Sequence, residues 1–156
     1  MNKHTLHQMI IEALEAVLEA ACKAARQAHE TATHKEAIAE NKYDTFGLEA
    51  SYLAAGQAKR VLKAEEDLRC FGNLPVKDFD ENSEISFGAY VELSDSQGRA
   101  MHLFVSPVAG GIAIEYEGLR IGLVTAEAPL GKKLLGANLD DDISHNETHY
   151  VITRLA

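Results

Sequence analysis

Seven histidines and two cysteines are the side chains best suited to hold a transition metal or attack an electrophile, and their spacing argues against both roles. His4 and His7 stand three apart, and His145 and His149 stand four apart. A zinc site needs three or four converging Cys, His or acidic donors, and neither pair has a convincing further donor. The second pair lies beside a strand, where residues i and i+4 share a face but sit far apart. Cys22 and Cys70 are too few for a disulfide framework and have no CxxC spacing. Gly110-Gly111 precedes a strand-like segment and lacks the pattern of a phosphate-binding loop. Lys59, Arg60 and Lys63 form a small basic patch, read first as a solvated helix face and second as a contact for a protein or RNA. Asp44 and Glu49 bracket a turn containing Gly47. By type and place they read as a turn or cap acid and a first-turn acid at a helix N-terminus. With no nucleophile beside a base, the chain is expected not to be an enzyme in its own right and to carry no cofactor of its own.

Charge narrows the partners. The net charge is −9, and it is uneven: residues 1–75 carry 9 basic and 11 acidic side chains, residues 76–156 carry 6 and 13. An acidic second half argues against direct, sequence-specific binding of nucleic acid and fits a protein partner or a metal site better. Apolar residues make up 46%, enough to bury a core. No run of 18 or more apolar residues occurs, so no membrane span is expected. Met1-Asn2-Lys3-His4 leads into a charged amphipathic pattern unlike a signal peptide. A cytoplasmic location is the expectation.

The elements that must position these residues fall into two grammars. From Thr5 to about Ala39 there is neither Pro nor Gly, and Ala, Glu, Leu and Lys dominate, which predicts one long helix. Its apolar stripe is Leu6, Ile10, Ala13, Val17, Ala21, Ala24 and Ala28, at coiled-coil spacing and thinning to alanine. Residues 40–47 break the pattern with turn and cap residues. A second helix is predicted from about Leu48 to Phe71, with Leu48, Tyr52, Ala55, Ala58, Leu62 and Leu68 as its stripe and Gly72-Asn73 and Pro75 as its stop. Together they predict an antiparallel helical hairpin over 1–73 with its tip near 40–47. Residues 74–84 read as a linker. From Ile85 the pattern is of strands: Ile85–Leu93, Met101–Val105, Ile112–Tyr116, Leu119–Val124 and His149–Leu155. Glu117-Gly118 signals a tight hairpin, and Pro129 with Gly136 brackets a short helix. The fold class is therefore α+β, a helical hairpin followed by a small β-rich domain over 85–156 with one short helix. A turn centred near residue 45 or 46 sets Cys22 and Cys70 at one height on facing helices, expected as neighbouring thiols without a bond.

Three segments carry a family resemblance. Tyr52-Leu53-Ala54-Ala55 is similar to a Glu-Tyr-His-Ala-Ala segment just past a hairpin turn. Ile85-Ser86-Phe87-Gly88-Ala89-Tyr90-Val91 is similar to Val-x-Phe-Gly-(Ser/Ala)-x-Val. Ala128-Pro129-Leu130-Gly131-Lys132-Lys133-Leu134-Leu135-Gly136 is similar to Ser-Pro-(Ile/Leu)-(Ala/Gly)-(Arg/Lys)-Ala-(Leu/Ile)-(Leu/Ile)-Gly. In order and spacing, over nearly the whole chain, these resemble the GreA/GreB family of bacterial transcription elongation factors. The resemblance implies an FKBP-like fold for the C-terminal domain, without isomerase activity. It implies RNA polymerase as partner, with the hairpin reaching down the polymerase secondary channel to modulate elongation or transcript cleavage. It points to Phe87, Pro129, Lys132 and Lys133 as polymerase contacts.

In that family two acids at the hairpin tip help hold the second magnesium ion of the polymerase's own active site, which activates a water for RNA cleavage. Carboxylates suit a hard cation of this kind. Aligned on Tyr52, the two acid positions are occupied here by Thr45 and Leu48, and acids stand one residue away on either side, at Asp44 and Glu49. Two readings of that pair stay open: ligands to magnesium shared with the polymerase, or a cap and a solvated acid. Without tip ligands, a hairpin in the channel inhibits or modulates instead. A rival reading of the chain is a non-transcriptional interaction module, a coiled-coil homodimer without effect on polymerase, because an alanine-thin seam can accept further helices.

Overall fold

The computed structural model describes residues 1–34 and 45–156. It contains two long helices, α1 (Lys3–Thr33) and α2 (Phe46–Gly72). These are followed by β1 (Tyr90–Asp95), β2 (Ala100–Val105), β3 (Ala113–Tyr116), β4 (Leu119–Val124), a short α3 (Pro129–Leu134), β5 (Asp142–His145) and β6 (Thr148–Leu155). The α+β order expected from the sequence is the observed one: a long N-terminal helical hairpin, then a mixed six-stranded sheet with one short helix.

The helix ends follow local chemistry. Asn2 caps α1, its Oδ1 accepting the Thr5 N–H at 3.1 Å while its carbonyl accepts the Leu6 N–H at 3.0 Å. At the start of α2 the Thr45 carbonyl accepts the Glu49 N–H at 2.9 Å. Glu49 thus lies in the first turn, where the helix dipole favours a negative charge.

Two compact units can be distinguished, Glu12–Arg69 and the combination of Met1–Ile11 with Cys70–Ala156. In the first, the hairpin unit, α1 contributes Leu14 and Ala28 and α2 contributes Ala50, Ala64 and Asp67 as buried residues. The Asp67 carboxylate is held by Lys63 one turn earlier, at 2.6 Å. Here the structure corrects the expected stripe. Leu48, Tyr52 and Leu62 are 56%, 72% and 65% exposed, and Val17 is also exposed; the seam of α2 runs instead through Ala50, Ala54, Val61 and Ala64. Alanine and other apolar side chains surround most of α2, so a helical period fits more than one face. Alanine at the seam buries little apolar area. Cys22 also departs from the expected register: it lines a groove with Ala58, Val61, Leu62 and Glu65, and these are the α2 residues at its height. Both cysteines are free thiols.

In the sheet unit the strand order is β3-β4-β2-β1-β6-β5. Only β2 and β4 run parallel among the described pairs, with His102 opposite Ile121 and Val105 opposite Val124. One face of the sheet packs Val91, Leu93, Val105 and Ile152 against Leu130 and Leu134 of α3. Alternation along β1 and β2 sends Tyr90 and Phe104 to the other face, where the Phe104 ring lies 5.8 Å from Phe71 and Phe71 stacks on His7 at 4.7 Å. Leu6 and Ile10, in the first turns of α1, are fully buried in this unit.

The expected strand over Ile85–Leu93 begins only at Tyr90. Gly88 has φ +95°, open to glycine and costly for other residues, and breaks the extended run with a turn closed by Ala89 N–H to the Ser86 carbonyl. The expected tight hairpin is present, with φ of 50° at Glu117 and 80° at Gly118 between β3 and β4. Strand β5 was not expected. No described helix is long and apolar enough to cross a membrane.

Candidate functional site

Asp44, one of the two tip acids, lies outside the described residues. Glu49 is exposed in the first turn of α2, and its Oε1 lies 3.5 Å from the Thr45 hydroxyl. That hydroxyl and the main-chain bond to Thr45 make Glu49 part of the helix start, and its exposure leaves carboxylate oxygen free to meet a cation. One turn on, Tyr52 and Leu53 are both largely exposed. On the same helix Lys59, Arg60 and Lys63 line a groove with Val17, Ala20, Ala21 and Ala24 of α1. This groove is apolar at its floor and basic along its rim.

The sheet unit brings two of the three resemblance segments side by side. Ile85 N–H donates to the Ala137 carbonyl at 2.8 Å, and Gly136 N–H donates to the Ile85 carbonyl at 2.9 Å. This paired ladder joins the start of the Ile85–Val91 segment to the end of the Ala128–Gly136 segment. Gly131 is required by close packing: a Cβ there would stand 2.0 Å from the Thr125 carbonyl oxygen. The four contact candidates lie in these segments. Phe87 is half-buried against the sheet core. Pro129 and Lys132 are exposed on α3. Lys133 donates to the Ser144 carbonyl, which ties α3 to β5. Of the four, Pro129 and Lys132 present the freest surface, while Phe87 and Lys133 are partly committed to holding the fold.

The histidine pairs do not converge on a metal. Burial pushes the His7 pKa below the usual range, the Leu74 main chain opposing, and its Nε2 is buried without a hydrogen-bond partner. His149 Nδ1 meets the Ser144 hydroxyl at 2.9 Å on the exposed β5–β6 pair. Among the described residues no cluster of three or more His, Cys, Asp or Glu side chains forms.

Two polar networks of the sheet unit are not legible in the sequence. Lys3, a residue easily read as a solvated N-terminal charge, is buried. Its ammonium donates to the Gly88 and Ala156 carbonyls, the latter at 2.8 Å, and lies 5.0 and 5.5 Å from the rings of Phe79 and Phe104. Burial lowers its pKa to about 8 against the pull of Asp78. The Tyr90 hydroxyl meets His102 Nδ1 at 2.8 Å, with a Glu92 carboxylate oxygen 3.7 Å from the same nitrogen. Burial raises the Tyr90 pKa, Glu92 adding to the effect. Tyr90 is fully buried, and its bond to His102 holds β1 to β2.

The chain matches no protein-family model and no curated protein. Among solved structures it is similar to the GreA factor homolog 1 (Gfh1) protein of Thermus thermophilus, at 21% identity and TM-score 0.38 over 94% of each chain. It is similar to Gfh1 of Thermus aquaticus at 18% identity and TM-score 0.36, over 92% of each chain. It is similar to the GreA/GreB elongation factor of Nitrosomonas europaea at 14% identity and TM-score 0.37, over 69% of this chain and 91% of that one.

Proposed function

We propose that this chain is an RNA polymerase-binding transcription factor of the Gre type, acting in the cytoplasm, which places its helical hairpin in the polymerase secondary channel. The observation that carries this reading is the way the resemblance segments are disposed. Two of them, far apart in sequence, are stitched together by the Ile85–Ala137 and Gly136–Ile85 main-chain bonds of the sheet unit. The third, near the start of α2, exposes Tyr52 and Leu53. In this reading the surface around Pro129 and Lys132 docks the polymerase, and the hairpin modulates elongation. The chain is not itself an enzyme.

Glu49, with Asp44, supplies carboxylate oxygen to the polymerase's second magnesium ion, a cation that prefers such donors. The exposure of Glu49 fits that use. When bound there, the ion activates water for cleavage of the transcript. The part played by this chain is to deliver and orient the carboxylate.

Two measurements test the proposal separately. Retention on immobilised core RNA polymerase at micromolar concentration is expected of the intact chain, and its absence sinks the polymerase reading. On a backtracked complex, the Asp44→Ala/Glu49→Ala double variant is expected to lose cleavage stimulation while still binding, because ligands that act on the transition state add little to docking. Unchanged cleavage in that variant removes both acids from the site and leaves the binding reading intact.

A further inference from the structure

The outward face of α2 repeats as a heptad seam that the described residues leave exposed. Leu48, Tyr52, Ala55, Lys59, Leu62 and Glu66 follow at steps of 4, 3, 4, 3 and 4, and all six are exposed. That spacing is the a/d pattern of a coiled coil, and it runs along the side of α2 away from Ala50 and Ala64, with Lys59 and Leu62 at its margins also lining grooves shared with α1. The seam is about 27 Å long at ~1.5 Å rise per residue.

We propose that this face pairs with the same face of a second copy, antiparallel, around a two-fold axis near residue 57. The occupant follows from self-complementarity. With the dyad there, Tyr52 meets the partner's Leu62, Ala55 meets the stem of the partner's Lys59, and Leu48 meets the stem of the partner's Glu66. Flanking the seam on one side, Glu49 faces the partner's Lys63, and the pair occurs twice by symmetry. Lys63 already bonds Asp67 within its own helix, so its ammonium bridges two carboxylates. Gly56 and Ala58 lie closest to the axis, where small residues let two helices approach. A Cβ at Gly56 would touch nothing in the single chain, so the space is open. A parallel pair is disfavoured because it sets Lys59 against Lys59 and Glu66 against Glu66.

One such seam lies at the small end of specific interfaces, so the dimer is weak, in the micromolar to millimolar range. It covers the face that carries Tyr52 and the approach to Glu49. Self-association therefore withholds the hairpin from other partners, whatever those partners are. The pairing does not depend on the polymerase reading.

Sedimentation velocity of the full chain from about 1 µM to about 1 mM tests it. A concentration-dependent dimer is expected. Glu49→Lys is expected to weaken it roughly three- to tenfold, the scale of two exposed ion pairs, and adding Lys63→Glu is expected to restore it. In a Cys22→Ser/Cys70→Ser background, a short bis-maleimide is expected to link dimers through Gly56→Cys and not through Leu48→Cys, whose two copies stand about 27 Å apart in the antiparallel pair. A chain that stays monomeric throughout overturns the proposal and leaves the face to another occupant. Linking through Leu48→Cys alone shows a parallel pair and overturns it equally.

Discussion

The hairpin unit and the sheet unit are held together by different means. In the sheet unit the largest fully buried side chains include Tyr90, Phe71, Phe104, Leu134 and Ile152, and burial of such groups supplies most of the stability available to a small fold. Among the described residues of the hairpin unit the buried apolar side chains are Leu14 and the alanines Ala28, Ala50 and Ala64. Alanine buries little area but is the best helix former, so this unit rests more on helix propensity than on buried apolar area. Leu48, Tyr52, Leu53 and Leu62 of α2 point outward, where they do little for the isolated chain. A unit built this way keeps its contact surface for something else, whereas the sheet unit spends its apolar residues on itself.

Truncation of the two cores is the strongest way to break that contrast. Ile152→Ala, in the sheet core, is expected to cost about 2–5 kcal/mol. Val61→Ala, at the half-buried seam of α2, is expected to cost under about 1.5 kcal/mol because less area is lost. Chemical denaturation of both variants measures this, and equal losses would erase the distinction. Next in size is Gly131→Ala, expected to destabilise by about 1–3 kcal/mol through overpacking, since the obstacle is the Thr125 main-chain oxygen and not a side chain that can swing away.

The pH dependence of unfolding separates the units by a third route, because Lys3 and His7, whose pKa values are lowered by burial, both belong to the sheet unit. Lys3 titrates near 8 when folded and higher when unfolded. The unfolded chain then binds more protons between those values, so stability is expected to rise from pH 8 toward 10. His7, also lowered, obeys the same sign in an acidic window: its contribution is present above its unfolded pKa and lost as pH falls through the folded one. Denaturation of Lys3→Met should lack the alkaline rise, and that of His7→Phe the acidic loss; retention of both slopes would sink the assignment. The smallest effect is expected at Tyr52→Ala, within about 0.5 kcal/mol at dilute concentration, where the face is solvated. A larger loss there would mean that the hairpin covers this face after all.

Much of the architecture was legible in local sequence. Pro129 and Gly136 bracket α3, Glu117-Gly118 closes β3 onto β4, and Gly72 with Pro75 ends α2, because each is a backbone restriction acting within a few residues. The exposure of Glu49 in a first turn was legible for the same reason. Strand β5 escaped notice because Asp142-Ile143-Ser144-His145 carries only Ile143 as a buried side chain and becomes a strand by pairing with β6. The Ile85–Ala89 run looked extended from its alternation, yet Gly88 turns it so that Ile85 can pair with the segment after α3.

By itself the sequence determined which stretches are helical, which are extended and where most of them stop, since propensity and turn chemistry are settled between neighbours. It also carried the segments that resemble a known family. Which face of α2 meets α1, which lysine is buried and which residues flank Ile85 were decided only in three dimensions. A helix surrounded by alanine has several nearly equal apolar faces, and a lysine near a chain start has no local reason to be inside. Those choices turn on the partners that packing brings together: small side chains such as Ala28, Ala50 and Ala64 buried within the hairpin, and two carbonyls with two aromatic rings around the Lys3 ammonium.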